Sequence, residues 1–331
     1  MNNSFLVYVD CPTFNHAPYI KDAMDGFCSQ QTNFPFVCGI VDDSSTDGEQ
    51  EVISNYLNEY FNLDDENVTS KEETQDYTRI FVQHKFNKQC YFLVFFLKYN
   101  HYSLKKSRFS YVSEWKNKSN YIAICEGDDY WTDSLKLKKQ VDCMELFPMV
   151  GMCYTKCRYY YQDKGMFASD SWGGDAEKFE TMIQSNPVPT ASAMYRQGLH
   201  ELYDDDVNPR EKGWMLGDYP FWIWISKEYG VKFINEETCT YRVLEKSASH
   251  RDDRSMREAF IISVCSLQRF FADKYNQSEL IRVDKADKAL LMDAYSNKDY
   301  EAVVHHYSQI TNPGWRDVIK YIISKMVLLI K

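Results

Sequence analysis

Hydrophobic and polar positions follow two periods along this chain, and together they predict strands and helices in turn. Short apolar runs that suit buried strands lie at residues 5–9, 36–41, 80–83, 121–125 and 150–154. Apolar residues at helical spacing follow three of these runs, on faces formed by Ile20, Ala23, Met24 and Phe27, by Val52, Ile53, Tyr56, Leu57 and Tyr60, and by Leu137, Val141 and Met144. Strands that alternate with helices predict an α/β fold, with a mainly parallel sheet flanked by helices.

Two segments interrupt this alternation. Residues 62–76 are acidic, polar and poor in aliphatic side chains, so we expect an exposed insertion there. Residues 86–118 mix aromatic side chains with Lys and Arg, and their pattern assigns no element. After about residue 250 the pattern becomes helical. We therefore predict an α/β domain over residues 1–250 and a helical C-terminal extension over residues 251–331.

The last stretch of the chain, residues 316–331, predicts an amphipathic helix. Asp317, Lys320, Ser324 and Lys331 form one stripe, and nearly all the other residues are apolar. The stretch is too short, and too interrupted by lysine, to span a bilayer. Three interpretations stay open: a basic amphipathic helix on a membrane surface, docking on the protein's own core, and contact with a second subunit.

Unusual polar sequences follow three of the predicted strands, at residues 12–16, 42–47 and 126–129. In parallel sheets, ligands bind at the carboxyl ends of the strands, so these segments predict one shared site. The last segment places Glu126, Asp128 and Asp129 within four residues, where like charges repel and desolvation is costly. A bound Mg²⁺ or Mn²⁺ would reverse that balance. The alternative is a solvated acidic turn that caps the following helix.

Composition narrows the class of protein. The net charge of −10 argues against a general nucleic-acid binder. The ten cysteines are scattered, and only Cys153 and Cys157 lie close together, so we expect no zinc site. No basic region followed by a long apolar segment precedes the first strand, so we expect no secretory signal. Reduced thiols then favour a cytoplasmic location.

Five motifs, in order along the chain, carry a resemblance to a known family. They are Pro-Thr-Phe-Asn at 12–15, Val-Asp-Asp-Ser-Ser-Thr-Asp-Gly at 41–48, Glu-Gly-Asp-Asp-Tyr-Trp at 126–131, Gly-Asp-Tyr-Pro-Phe-Trp at 217–222 and Tyr-Arg-Val-Leu-Glu-Lys-Ser-Ala-Ser-His at 241–250. Residues 1–250 resemble the family 2 glycosyltransferases of the GT-A fold, which have a Rossmann-like mixed sheet. The resemblance implies transfer of a sugar from a nucleotide-activated donor, with inversion at the anomeric carbon.

The resemblance also implies roles for the residues that bind the nucleotide. Asp43 resembles the acid that contacts the nucleobase or ribose. Pro12, Thr13 and Asn15 resemble the wall of the nucleotide pocket, a role compatible with turn and cap duties. Lys85 lies where relatives approach the nucleotide.

Metal binding and catalysis are implied at further positions. Asp128 resembles a contact to both the metal and the nucleotide, and Asp129, Glu126 and His250 are the other candidate ligands of Mn²⁺ or Mg²⁺. Arg242 is expected either to pair with phosphate or to brace an acid.

Asp218 is the implied general base, which would take the proton of the acceptor hydroxyl. Without the resemblance, Asp218 is interpreted as a helix cap before Tyr219-Pro220.

The implied function is metal-dependent, inverting transfer from a nucleotide-sugar donor, expected to be a UDP-sugar, to a hydroxyl of a glycan or lipid-linked acceptor in cell-surface polysaccharide synthesis. The expected location is the cytoplasm, either free or peripheral on the inner face of the cell membrane, with homodimer contact through the C-terminal helix as the other option. Gly217 and Glu126 depart from the family's usual Glu and Asp. These departures motivate an alternative, a non-catalytic nucleotide-sugar-binding or scaffolding protein of a glycan assembly complex. Donor binding without turnover would discriminate the two.

Overall fold

The computed structural model describes residues 5–244 and 253–330. Its strands are β1 (Phe5–Thr13), β2 (Phe36–Asp42), β3 (Thr69–Glu73), β4 (Tyr77–Gln83), β5 (Cys90–Leu97), β6 (Ser119–Ile124), β7 (Tyr130–Trp131), β8 (Met152–Tyr161), β9 (Met166–Trp172), β10 (Met194–Arg196) and β11 (Val231–Val243). Its α-helices are α1 (Ile20–Cys28), α2 (Glu49–Tyr60), α3 (Phe109–Asn117), α4 (Lys136–Leu146), α5 (Phe179–Met182), α6 (Leu199–Val207), α7 (Pro209–Lys212), α8 (Tyr219–Glu228), α9 (Arg254–Lys274), α10 (Lys285–Ser296), α11 (Tyr300–Tyr307) and α12 (Trp315–Ile330).

The strands form one mixed sheet in the order β3-β4-β5-β2-β1-β6-β10-β8-β11-β7, with β9 paired to β8. Its centre, β5-β2-β1-β6, is parallel, and β8 and β11 form a second parallel pair. Antiparallel strands extend the centre on both sides, because the β3–β4 hairpin joins β5 and β10 joins β6. The predicted fold class, a mixed and mainly parallel sheet with helices against it, is confirmed.

The central strands are buried on both faces, as parallel strands covered by helices must be. On one face, alternate residues of β1 such as Val7 and Val9 pack in one core with Met24 and Phe27 of α1 and Ile53 of α2. On the other face, Trp115 of α3 stacks on Phe81 of β4, with ring centroids 4.8 Å apart. Apolar side chains therefore pack against both faces of the sheet.

Two segments differ from the sequence-based expectation. The polar insertion at residues 62–76 contains the edge strand β3, whose side chains are exposed or half-buried. Residues 86–118 contain β5, which pairs with β2 along its whole length and is nearly all buried. A central strand of the sheet therefore lies in the segment to which the pattern assigned no element.

The described residues divide into two compact units. The first comprises residues 5–182, 186–206 and 225–244 and contains the sheet. The second comprises residues 183–185, 207–224 and 253–330 and contains α9 to α12. Described residues after 253 are helical, as expected. The predicted domain boundary near residue 250 stays a prediction. Within the described ranges, no helix is long and apolar enough to cross a membrane.

Candidate active site

Three loops meet at the carboxyl ends of the central strands of the first unit. The end of β1 pairs with the end of β2, where Thr13 lies opposite Asp42. The N–H of Asp43 donates to the carbonyl of Thr13 at 3.0 Å, and the N–H of Gly127 donates to the carbonyl of Pro12 at 3.1 Å. The polar segments that follow β1, β2 and β6 are therefore hydrogen-bonded neighbours, as the strand order requires.

The loop after β6 approaches β1 so closely that only glycine fits at position 127. A Cβ atom there would lie 2.1 Å from Oγ1 of Thr13 and 2.6 Å from its Cβ. Real Cβ contacts of this length do not occur, so Gly127 permits the close approach of two backbones. The glycine of the Glu-Gly-Asp-Asp motif thus has a packing role.

The three clustered carboxylates have different environments. Glu126 is exposed. Asp128 is about one-fifth exposed, and its Oδ2 lies 3.8 Å from Nε2 of His16. Asp129 is buried, its Oδ1 accepts the N–H of Arg242 at 2.8 Å, and its Oδ2 has no hydrogen-bond partner among the described residues. Burial, followed by the nearby charges of Asp128 and Glu126, raises the pKa of Asp129 well above its ordinary value.

Arg242 of β11 forms hydrogen bonds with the acidic turn, residues 126–129. Its Nε donates to the carbonyl of Asp128 at 2.9 Å, while its Nη atoms donate to Gln162 and to Asp22 of α1, each at 2.6 Å. The guanidinium also lies over the rings of Tyr19, Tyr130 and Tyr160. Of the two roles expected for Arg242, these contacts correspond to bracing an acid.

A buried glutamate, which the sequence analysis did not single out, organises the loop after β1. Glu49, the first residue of α2, accepts hydrogen bonds from the hydroxyl of Thr13, the N–H of His16 and the hydroxyl of Ser45. The Nδ1 atom of His16 lies 3.2 Å from Oγ1 of Thr13, so the ring is held with Nε2 towards Asp128. Two features of the sequence point to this role. Glu49 begins a predicted helix directly after Asp47-Gly48, and His16 ends the polar segment after the first strand.

Asn15 and Asp47 tie the first two loops together. Asn15 has φ 57°, its N–H donates to Ser45, and its side-chain oxygen accepts the N–H of Thr46 at 2.8 Å. Asp47 accepts the N–H of Ala17 at 2.9 Å. Asn15 therefore has the structural role in the turn that was expected alongside its predicted role in the wall of the nucleotide pocket.

Asp43 holds a fourth loop, which the sequence analysis missed. This loop, residues 98–108, follows β5 at the same edge of the sheet. The carboxylate of Asp43 accepts the N–H groups of His101 at 2.6 Å and Tyr102 at 3.0 Å. The side chain of Tyr102 is 89% exposed, so its ring projects from the anchored backbone. Because β5 was not recognised from the sequence, the loop that follows it was not recognised either.

Lys85, another predicted site residue, is not part of this group of loops. Lys85 follows β4 at the opposite edge, where β5 begins, and its Nζ donates to the carbonyls of Asn58 and Glu59 at the end of α2. Asp218 lies in the second compact unit at the start of α8, where its Oδ1 accepts the N–H of Tyr219 at 2.7 Å. His250 falls outside the described residues.

The carboxylate oxygens suit a metal ion that is coordinated partly by substrate, rather than one that is coordinated by protein side chains alone. Within residues 5–244 and 253–330, no three His, Cys, Asp or Glu side chains are arranged to hold a metal ion. Mg²⁺ and similar hard ions are commonly held by one or two carboxylates together with substrate phosphates. Asp128 and Glu126 reach the surface and satisfy that pattern, whereas the buried Asp129 carboxylate faces the protein.

A mixed α/β sheet with polar, acidic loops at the carboxyl ends of its parallel strands is the arrangement in which α/β proteins bind ligands. In a comparison with known families, residues 9–73 match the model described as "Glycosyl transferase family 2". The matched region includes the second half of β1 with Thr13, then α1, β2, α2 and β3, and the loop that carries Asp43. This match is to the family that the motifs predicted, and it is confined to residues 9–73.

Curated relatives are similar over part of the chain. Uncharacterized protein Rv1520 of Mycobacterium tuberculosis (strain ATCC 25618 / H37Rv) and uncharacterized protein Mb1547 of Mycobacterium bovis are each 31% identical over 196 residues. The matched region covers 58% of this chain and 47% of each relative. The chain thus spans about half the length of these relatives.

Two solved structures show a more distant similarity. One is TarS 1–349 of S. aureus in complex with UDP-GlcNAc, with a TM-score of 0.47, 13% identity and coverage of 97% of this chain and 90% of that one. The other is the mannosyltransferase PcManGT of Pyrobaculum calidifontis in complex with GDP-Man and Mn²⁺, with a TM-score of 0.48, 13% identity and coverage of 98% and 87%.

Proposed function

We propose that this protein is an inverting glycosyltransferase. It transfers a sugar from a nucleotide-diphosphate donor, with UDP-sugars as the first candidates, to a hydroxyl of a glycan or lipid-linked acceptor in cell-surface polysaccharide synthesis. The observation that carries the proposal is the convergence of the loops after β1, β2 and β6 beside the carboxylate of Asp128. All ten cysteines are free thiols, which supports a cytoplasmic site of action.

In this proposal, Asp128 and Glu126 hold a Mn²⁺ or Mg²⁺ ion together with the donor's phosphates. The ion supplies positive charge against the diphosphate that departs. Asp129 has a positioning role, because its carboxylate is buried and accepts the N–H of Arg242. Thr13, Pro12 and Asn15 shape the wall of the nucleotide pocket, and Asp43 contributes by holding loop 98–108. On the resemblance alone, Asp218 accepts the acceptor's proton as its oxygen attacks the anomeric carbon.

A thermal-shift screen tests donor binding. The protein is heated with UDP-GlcNAc, UDP-glucose, UDP-galactose and GDP-mannose, each with and without Mn²⁺. A donor present at about 100 times its Kd stabilises the folded state by about 2.7 kcal/mol, which raises the melting temperature. We expect one nucleotide class to give a shift that requires Mn²⁺ and is lost with EDTA. No shift with any nucleotide sugar would overturn the proposal.

Turnover is then tested with a matched pair of variants. Release of the nucleoside diphosphate should fall by at least about 100-fold in Asp128→Asn, because the charge that holds the ion is lost. The control is Asp142→Asn, an exposed acid on α4 that pairs with Lys138, and it should keep full activity. Equal activity in both variants contradicts the assigned role of Asp128. Donor binding without turnover in the unmodified protein, with every metal and acceptor, would favour the nucleotide-sugar-binding alternative.

A further inference from the structure

The C-terminal helix α12 packs with its polar side inward and its apolar side outward. A surface helix of a globular protein normally has the opposite orientation. Its inward side is marked by Asp317 and Ser324, which are buried, and by Tyr321, whose ring stacks on Tyr307 of α11 at 4.2 Å. Asp317 also accepts the N–H of Gly314 at 2.8 Å and pairs with Lys288 of α10 at 3.3 Å. Specific polar contacts therefore fix this orientation of α12.

The outward side of α12 is a continuous apolar surface. It consists of Trp315, Ile319, Ile322, Ile323, Met326, Leu329 and Ile330, which recur at helical spacing. All seven are exposed, from 39% for Ile323 to 86% for Ile330. Exposed apolar surface of this extent normally marks a binding surface. Within the second unit, no described residue covers this apolar side.

The exposed charges of α12 are all positive. Asp317, its one acidic residue, is buried and paired, whereas Arg316 and Lys325 are exposed and Lys320 is half-buried with its Nζ over the ring of Tyr295. The chain as a whole carries a net charge of −10, so this basic set differs from the overall composition. An apolar face bordered by cations is the pattern of helices that lie in the interface of an anionic bilayer.

We propose that the outward face of α12 docks on an anionic membrane surface. The helix lies parallel to the bilayer, with its isoleucines and Met326 among the acyl chains and the exposed Arg316 and Lys325 near the headgroups. Trp315 stands at the start of the helix and is 69% exposed, and an indole ring suits the boundary between headgroups and acyl chains. A second copy is a poorer partner, because pairing two such faces about a two-fold axis would bring their basic residues together.

The proposal goes beyond the transferase activity and does not depend on it, so it is tested without donor. The full chain is sedimented with vesicles of phosphatidylcholine alone and of phosphatidylcholine with phosphatidylglycerol. We expect binding to the anionic vesicles that weakens at high salt, because screening reduces the attraction. Failure to bind them, or equal binding to neutral vesicles, would overturn the proposal.

Two variants locate the contact, and a third is the matched control. Ile322→Asp with Met326→Asp, and separately Arg316→Glu with Lys325→Glu, should each weaken binding to anionic vesicles by at least about tenfold. Met149→Asp replaces an apolar residue of the first unit that is more exposed (84%) than Ile322 (44%) or Met326 (58%), and this variant should bind normally. Because the substituted apolar side chains are exposed, circular dichroism and melting temperature should not change. An equal loss in Met149→Asp would show that α12 is not the contact.

Light scattering distinguishes the membrane from a second copy. We expect a monomer without vesicles. A dimer that dissociates in the Ile322→Asp, Met326→Asp variant would assign the apolar face to self-association and overturn the membrane proposal.

Discussion

The backbone N–H of Arg242 donates to Oδ1 of Asp129 at 2.8 Å, while the Nε of the same residue donates to the carbonyl of Asp128 at 2.9 Å. Arg242 of β11 thus forms hydrogen bonds with both aspartates of the acidic turn. The Asp129 carboxylate is drawn inward by this bond, and the carboxylate of Asp128 remains partly exposed. The different environments of two adjacent aspartates follow from this arrangement.

Arg242→Met should destabilise the protein by about 3 kcal/mol, because three side-chain hydrogen bonds of a buried guanidinium are lost. Asp22→Asn should cost about 1 kcal/mol or less, since Asp22 is 52% exposed and its ion pair is solvated. Urea unfolding measures both. Equal losses would mean that the ion pair with Asp22, rather than the bonds to the acidic turn and Gln162, gives Arg242 its importance.

Asp218→Asn separates catalysis from helix capping. Asparagine also caps helix N-termini and can accept the N–H of Tyr219, so the melting temperature should stay constant. Turnover should fall by about 100-fold or more, because an amide cannot take the acceptor's proton. The donor-induced thermal shift should persist. Full turnover in Asp218→Asn would leave Asp218 with the capping role alone.

Asp43→Asn should loosen the loop after β5. The carboxylate of Asp43 accepts two backbone N–H groups, and losing charge-assisted bonds of this kind costs about 2 kcal/mol. Amide exchange at His101 and Tyr102 should become faster, as measured by NMR or mass spectrometry. Asp64→Asn, at an exposed position, is the control and should leave exchange unchanged. Unchanged exchange in both variants would contradict the anchoring role.

Lys136→Met should stabilise the protein by about 1 kcal/mol at neutral pH, because a buried ammonium is removed. Lys136 is fully buried, with its Nζ 2.5 Å from the side-chain oxygen of Gln140, and burial lowers its pKa. The unfolded chain therefore binds this proton more tightly than the folded chain does.

The advantage of Lys136→Met should shrink as pH rises. Between the lowered pKa of the folded state and the ordinary value of 10.5, the unmodified protein gains stability that the variant cannot gain. Denaturant unfolding at several alkaline pH values measures this difference. Lys138→Met, which removes an exposed lysine, should change stability by less than about 0.5 kcal/mol at every pH. A pH-independent difference for Lys136→Met would contradict the burial argument.

The sequence allowed the central strands β1, β2 and β6 and the meeting of their loops to be predicted. Each strand is a short apolar run followed by a polar break, and strand order then dictates that their ends lie together. The strand β5 was not recognised, because its run Cys-Tyr-Phe-Leu-Val-Phe-Phe-Leu lies in a segment that mixes aromatic side chains with Lys and Arg, although the run itself is nearly all buried as a central strand. The anchoring of loop 98–108 by Asp43 was missed for the same reason.

The difference in burial between Asp128 and Asp129 could not be predicted from the local sequence pattern. The two aspartates are adjacent and chemically identical. Arg242, whose hydrogen bonds distinguish them, lies 113 residues after Asp129. Glu49 was missed on similar grounds, since its role depends on Thr13, which is 36 residues away. Long-range partners, rather than secondary structure, set the details of this site.

The hydrogen bond between Arg242 and Asp129 spans 113 residues of chain. During synthesis, the acidic turn leaves the ribosome long before the arginine that secures it. The nascent protein can therefore form its first strands and helices while the edge that carries the acidic turn is still incomplete, since N-terminal segments are available to fold first. A product terminated before β11 would retain every motif of the candidate site up to Asp129 and still lack the arginine that hydrogen-bonds to Asp128 and Asp129.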